Sequence, residues 1–137
     1  MGMEAFRKAY KTNPALESEG VWIDLQGGVS LKCRRASRAN REYRAALNRM
    51  LKKYGRQLDV GAIDLDIQDE LLYGVYAETI VTDWKNVEGD NGEKLACTKD
   101  NVLWFFNEYP EAFVDVQSLC QERAVYLDEL EGDEVKN

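Results

Sequence analysis

Apolar and polar residues alternate on both sides of a Gly-Gly pair near the start of the chain. The alternating apolar positions are Val21, Ile23, Leu25, Val29, Leu31 and Cys33. A period of two places them on one face of two strands, and Gly27-Gly28 supplies the turn, so the pattern predicts a β-hairpin. Because an isolated hairpin is only marginally stable in water, its apolar face must lie on helices.

Four later segments have helical signals. The first helix is predicted from Asn40, a good N-cap, to Tyr54, with Gly55 at its C-terminal side. The second is predicted over 64–82 and closed by Trp84, the third over 100–108 after the cap Thr98, and the fourth from Pro110. The residues expected to be buried on these helices include Tyr43, Leu47, Met50, Leu51, Tyr54, Leu65, Leu72, Tyr76, Thr79, Ile80, Phe113, Val116, Cys120, Ala124 and Leu127. The sequence thus predicts a small, mostly helical α+β domain, with an N-terminal β-hairpin packed on about four helices.

A chain of 137 residues with 45% hydrophobic content suits one globular domain. Residues 1–20, with a short helical piece over 5–11, are predicted to be a flexible N-terminal lead. Residues 21–130 are then the single domain, and 131–137 an acidic tail.

Residue usage disfavours catalysis. Histidine is absent, and the three cysteines are widely spaced without a CxxC pattern. The acidic loop around Gly89 lacks calcium-binding spacing, and Gly27-Gly28 lacks a phosphate-loop context. There is neither an apolar span of membrane length nor a signal-peptide core. We therefore predict no enzyme, no cofactor, no metal, no membrane association and no secretion.

Charge is divided unevenly along the chain. Residues 32–56 hold ten Lys/Arg and one acid, for a balance of +9, whereas residues 57–137 hold five basic and twenty acidic residues, for −15. Opposed fields of this size favour head-to-tail association of copies. The residues predicted to carry this self-association are Arg41, Arg44, Arg49 and Lys52. A solvated face remains an alternative reading of the basic block. Nucleic-acid binding is disfavoured by the net charge of −7 and by the lack of interleaved aromatic residues.

A dense apolar run at 102–106 points to a second surface. On a short helix these side chains point all around the axis, so either the helix is central to the core or one aromatic is left for a partner. Trp104 and Phe105 are the leading partner-binding candidates. Tyr73 and Tyr126, off the main stripes of their helices, are weaker ones.

Six stretches in order carry a family resemblance: 21–25, 32–36, the helix around Tyr43, 76–84, 101–106 and 127–130. Together they resemble the tail assembly chaperones of long-tailed bacteriophages over about residues 20–137. The resemblance rests on ordered elements and local phrases, and it includes no catalytic signature.

The resemblance implies a non-enzymatic chaperone of the host bacterial cytoplasm that is absent from the mature virion. Such proteins coat the tape-measure protein, keep it soluble and help recruit the tail-tube protein, the latter through a longer form made by frameshifting. The closing residues 135–137 would fit a slippery site if valine is encoded by GTA. The resemblance marks no binding residues. Alternatives are a structural head–tail connector or tail-completion protein, or a small nucleic-acid-binding regulator.

Overall fold

A computed structural model describes residues 2–127 of the chain. The elements in chain order are α1 (Glu4–Tyr10), α2 (Pro14–Glu19), β1 (Val21–Asp24), β2 (Ser30–Cys33), α3 (Arg41–Asp59), α4 (Leu65–Thr79), β3 (Val81–Lys85), α5 (Lys99–Glu108) and α6 (Pro110–Gln121), with 3₁₀ turns at Gln26–Gly28 and Arg123–Tyr126. The α+β prediction is confirmed, although the described residues hold three strands and six α-helices where one hairpin and about four helices were expected. The predicted acidic tail, 131–137, and the predicted slip site lie outside the described residues.

The predicted hairpin is present. β1 and β2 are antiparallel, with Val21 opposite Cys33 and Ile23 opposite Leu31. Gly27 and Gly28 both have positive φ, 78° and 83°, a conformation that glycine adopts without steric cost. Ile23, Leu31 and Cys33 are buried as expected, so the alternation correctly identified the inward face.

A third strand was not predicted. β3 pairs antiparallel with β2, placing Trp84 opposite Leu31, so the prediction of a helix through residue 82 closed by Trp84 is wrong. The helix ends at Thr79, where a run of β-branched residues begins that packs better on a sheet than in a helix. Trp84 is buried on the sheet, and its indole Nε1 donates to the carbonyl of Leu95 at 2.8 Å.

α3 is longer than predicted, because Gly55 lies within it. An internal glycine costs a helix only about 1 kcal/mol, whereas the real stop lies at Gly61, which has a φ of 69°. There the N–H of Ala62 donates to the carbonyl of Gln57, and that of Gly61 donates to Leu58. This paired closure satisfies helix-end carbonyls and needs a left-handed residue at Gly61.

The core lies between the sheet and α4, α5 and α6. Its aromatic centre has ring centroids 4.6 Å apart for Tyr73 and Phe113, 5.1 Å for Tyr76 and Phe113, and 4.9 Å for Phe106 and Phe113. Edge-to-face geometry of this kind adds to the stabilisation from burial alone. On α6, Phe113, Val116 and Cys120 are buried as predicted, but Ala124, after the helix ends, is exposed.

Helices also form within the predicted N-terminal lead. α1 matches the predicted short helix, and Asn13 caps α2 by accepting from the N–H of Ala15. α2 lies against the domain: Glu17 pairs with Arg35 at 2.9 Å, and the N–H of Asn13 donates to the carbonyl of Tyr126. The flexibility of this lead stays a prediction.

Candidate interaction surface

The four cationic residues predicted for self-association, Arg41, Arg44, Arg49 and Lys52, are all exposed on α3. At about 100° per residue they fall within an arc of roughly 140° whose centre lies opposite the face that packs on α4, with Arg49 at its edge. Arg49 pairs with Glu78 of α4 at 2.8 Å, and Arg44 donates to the carbonyl of Arg38 at 3.4 Å. The predicted exposure is confirmed; self-association stays a prediction.

Apolar side chains are exposed where α3 joins α4. The exposed fractions are 72% for Val60, 75% for Leu65 and 45% for Ile67, and we call these three residues the hairpin tip. Leu51 is also 51% exposed, but it lies about two turns before the end of α3. The prediction that Leu51 and Leu65 face the core is wrong. Leu51 lies at the edge of the α3 packing stripe and Leu65 is the first residue of α4, so neither points squarely at a neighbouring helix.

The partner-binding aromatics have different surroundings from those predicted. Phe105, Tyr73 and Tyr126 are buried, so their proposed role as exposed anchors is wrong. Phe105 packs on Trp84, with centroids 5.7 Å apart, and the Tyr126 hydroxyl donates to the carbonyl of Cys33 at 3.0 Å. Phe105 is buried because α5 is enclosed by its neighbours, the alternative that sequence reasoning left open.

Only Trp104 of the four keeps a partly exposed side chain. Its ring meets that of Tyr109 edge-on at 6.1 Å, and Tyr109 is itself about half exposed. Partner binding at Trp104 stays a prediction. Sequence reasoning did not identify Val60, Ile67 and Tyr109 as exposed apolar residues. Their positions in or beside short connections could have indicated exposure.

A further apolar face lies on α1. Met3, Phe6 and Tyr10 occupy one side of the helix and are each about half exposed, with the Phe6 and Tyr10 rings stacked at 4.6 Å. Arg123 lies over the Tyr10 ring at 4.2 Å, a cation–π contact that joins α1 to the end of the described chain.

Two of the cysteine thiols, those of Cys33 and Cys97, have little thiolate character. The pKa of Cys33 is raised well above its ordinary value, chiefly by its hydrogen bond with Cys120 and then by burial. Burial and the nearby Asp83 raise the pKa of Cys97 to about 11. Since the thiolate is the nucleophilic form, these sites are poorly suited to nucleophilic chemistry at neutral pH.

Residues 2–127 contain no cluster of three or more His, Cys, Asp or Glu side chains arranged to hold a metal ion. Within the same part of the chain, no helix combines the length and apolar character needed to cross a membrane.

A family model described as YdaY prophage protein matches residues 38–137, which include α3, α4 and the hairpin tip. No curated protein and no solved structure matches the chain. The family description agrees with the phage origin implied by the resemblance, but its words name no role in tail assembly. Because the match covers well over half of the chain, the protein belongs to the YdaY prophage protein family.

Proposed function

We propose that the protein is a tail assembly chaperone that binds and solubilises the tape-measure protein and helps recruit tail-tube subunits. The observation that carries the proposal is the hairpin tip, an exposed apolar surface on the same helical hairpin as the basic face of α3. Both lie within residues matched by the prophage family.

This surface suits a long helical client. Apolar residues repeating along a client helix can dock on the hairpin tip, while the cations of α3 contact acidic side chains beside them. Three exposed apolar residues form a small contact, so one copy binds weakly and reversibly. Many copies on one client then supply avidity without a tight single site.

Association between copies supports the same mechanism. The first turns of α4 carry exposed Asp64, Asp66, Asp69 and Glu70, opposite in charge to the face of α3. Attraction between these groups on neighbouring copies lines copies up along the client. We expect the apparent mass by light scattering to fall as salt rises from low to several hundred millimolar, because screening weakens exposed charge pairs. A monomer under all salt conditions at high concentration would contradict this step.

Co-expression with the prophage's own tape-measure protein tests the proposal. The wild-type chain should increase the client's soluble fraction and co-purify with it. The double variant Val60→Ser, Leu65→Ser should reduce the recovered client by about tenfold, because it removes exposed apolar anchors. Val114→Ser is the matched control, since Val114 is 60% exposed on α6, outside the hairpin tip.

Equal recovery with the double variant and the control would overturn the role of the hairpin tip. An insoluble client at every level of the wild-type chain would overturn the chaperone function. Mass spectrometry of purified particles adds a separate criterion, because finding the chain in finished virions would favour a head–tail connector or tail-completion protein.

A further inference from the structure

A cleft of about 350 Å³ lies between α2, residues 34–39 and the start of α3. The side chains that the argument uses are Glu17, Arg34, Arg35, Ser37, Arg41 and Glu42. We call it the arginine cleft. It lies apart from the hairpin tip, at the opposite end of α3.

Arg34 and Arg35 each pair with a single carboxylate oxygen, and Nη1 of Arg34 also donates to the carbonyl of Thr79 at 3.5 Å. Nη1 of Arg34 contacts Glu42 at 2.8 Å, and Nη1 of Arg35 contacts Glu17 at 2.9 Å. Both Nε atoms are buried and have no hydrogen-bond partner within the described residues. Guanidinium groups can pair with a carboxylate through two nitrogens, and the side chains are still 19% exposed for Arg34 and 18% for Arg35, so each has donors for a further carboxylate oxygen.

The first turn of α3 adds backbone hydrogen-bond donors to the cleft. The side chain of Asn40 accepts from the N–H of Tyr43 and donates to the carbonyl of Arg35, which fixes the helix start against the cleft. The preceding backbone N–H groups, those of Arg41 and Glu42, point out of the helix end as all first-turn amides do. The helix dipole makes this end favourable for negative charge.

The described chain ends beside this cleft. Leu127 forms a β-bridge with Thr12. The backbone carbonyl of Tyr126 accepts from the N–H of Asn13, the N-cap of α2. The guanidinium of Arg35 lies 6.0 Å from the Tyr126 ring. In the sequence, the seven residues after Leu127 include five acids: Asp128, Glu129, Glu131, Asp133 and Glu134.

We propose that the arginine cleft binds an acidic peptide segment, and that residues 128–134 of the same chain supply it. Glu42 is 69% exposed, so a carboxylate of the segment can replace it on Arg34 with little loss of packing. Attachment through Leu127 gives the segment an effective concentration near millimolar, which compensates for weak intrinsic binding. The proposal does not depend on a role in tail assembly.

The test uses the full-length chain with its acidic segment neutralised by Asp128→Asn, Glu129→Gln, Glu131→Gln, Asp133→Asn and Glu134→Gln. A fluorescent peptide of sequence 128–137 is titrated into this neutralised chain and into the wild-type chain, with anisotropy as the readout. We expect the neutralised chain to bind the peptide about tenfold more tightly, since its cleft is no longer occupied.

Further substitutions in the neutralised chain locate the site. Arg34→Gln and Arg35→Gln should each weaken peptide binding, whereas Arg38→Gln, the same charge change on an exposed neighbour outside the cleft, should not. Arg34→Gln keeps the test valid if Arg35→Gln disturbs α2, because the Glu42 partner of Arg34 is mostly exposed. Amide shifts at Ser37 and Glu42 on peptide addition would support the site directly.

Three results would overturn the proposal. The first is no peptide binding by the neutralised chain. The second is an equal loss of binding with Arg38→Gln, which would indicate diffuse attraction. The third is equal peptide binding by both chains, which would show that the chain's own segment does not occupy the cleft. None of these results alters client recovery in co-expression, so the two proposals fail separately.

Discussion

α5 and α3 use apolar residues in opposite ways. α5 buries Val102, Phe105 and Phe106 within ten residues, whereas α3 fully buries only Ala46 within nineteen. α5 lies among α4, α6 and the sheet, while α3 packs on α4 along one face and leaves the remainder to solvent. The comparison teaches that the stability of this domain is concentrated around α5, and that α3 is free to carry surface chemistry.

The strongest way to break this comparison is truncation of a large side chain in each helix. Phe106→Ala should lower the free energy of unfolding by about 3–5 kcal/mol, because the ring is fully buried against Tyr73 and Phe113. Leu51→Ala on α3 should change it by only about 0.5 kcal/mol. Urea denaturation followed by circular dichroism measures both. Losses of similar size would show that α3 contributes to the core as much as α5 does.

A smaller effect is expected from one hydroxyl group. Tyr126→Phe removes the buried donor to the carbonyl of Cys33 and should destabilise the fold by about 1–3 kcal/mol. Tyr109→Phe makes the same chemical change at a half-exposed position and should leave stability nearly unchanged. If the two variants unfold at the same urea concentration, the bond between the 3₁₀ turn and β2 does not stabilise the domain.

Alkaline pH should weaken the core, which contains Cys33, without acting on the exposed side of α3. The pKa of Cys33 is raised in the folded chain above its ordinary value of 9.0, so its stabilising contribution is complete below about pH 9 and is lost as pH rises. Raising the pH from about 9 to about 10 should remove about 1 kcal/mol through this thiol, because only the unfolded chain releases the proton.

Cys33→Ala should reduce this pH dependence without removing it, because Cys97, whose pKa is raised to about 11, also releases its proton first in the unfolded chain. Leu51→Ala should keep the wild-type slope. Urea midpoints measured across the same pH range provide the comparison. An unchanged slope in Cys33→Ala would show that the buried thiol does not account for the loss.

The smallest expected effect concerns the ion pair between α3 and α4. Arg49→Gln removes an exposed contact with Glu78 and should cost less than about 1 kcal/mol. The difference should shrink further in high salt, because the pair is open to solvent. A larger, salt-insensitive loss would mean that this pair anchors α3 and that packing along its one face is insufficient.

Local signals were sufficient for much of the fold. The Gly-Gly turn with its alternating flanks identified the β1–β2 hairpin, Thr98 marked the start of α5, and Pro110 marked that of α6. Because of Gly55, the end of α3 was predicted too early. A helix tolerates an internal glycine, and the stronger stop signal is Gly61. β3 was missed because residues 79–84 continue an apolar pattern that can be read as helix until a neighbouring strand is available for pairing.

The candidate interaction surface was also predicted only in part, because some of its features depend on one helix and others on contacts between helices. Exposure of Arg41, Arg44, Arg49 and Lys52 follows from their angular positions on one helix. Burial of Phe105, Tyr73 and Tyr126 depends instead on which helices surround them, and periodicity within one helix does not contain that information.

The sequence by itself determined the β-hairpin, the helix starts and the basic face of α3, since each depends on residues close together in the chain. Only the tertiary structure decided that β3 joins the sheet, that α5 is enclosed, and that Leu51 and Leu65 are left in solvent. It also brought Arg34 and Arg35 beside α2 and close to Leu127. Each of these outcomes depends on contacts between residues far apart in sequence, which form only when the whole chain packs.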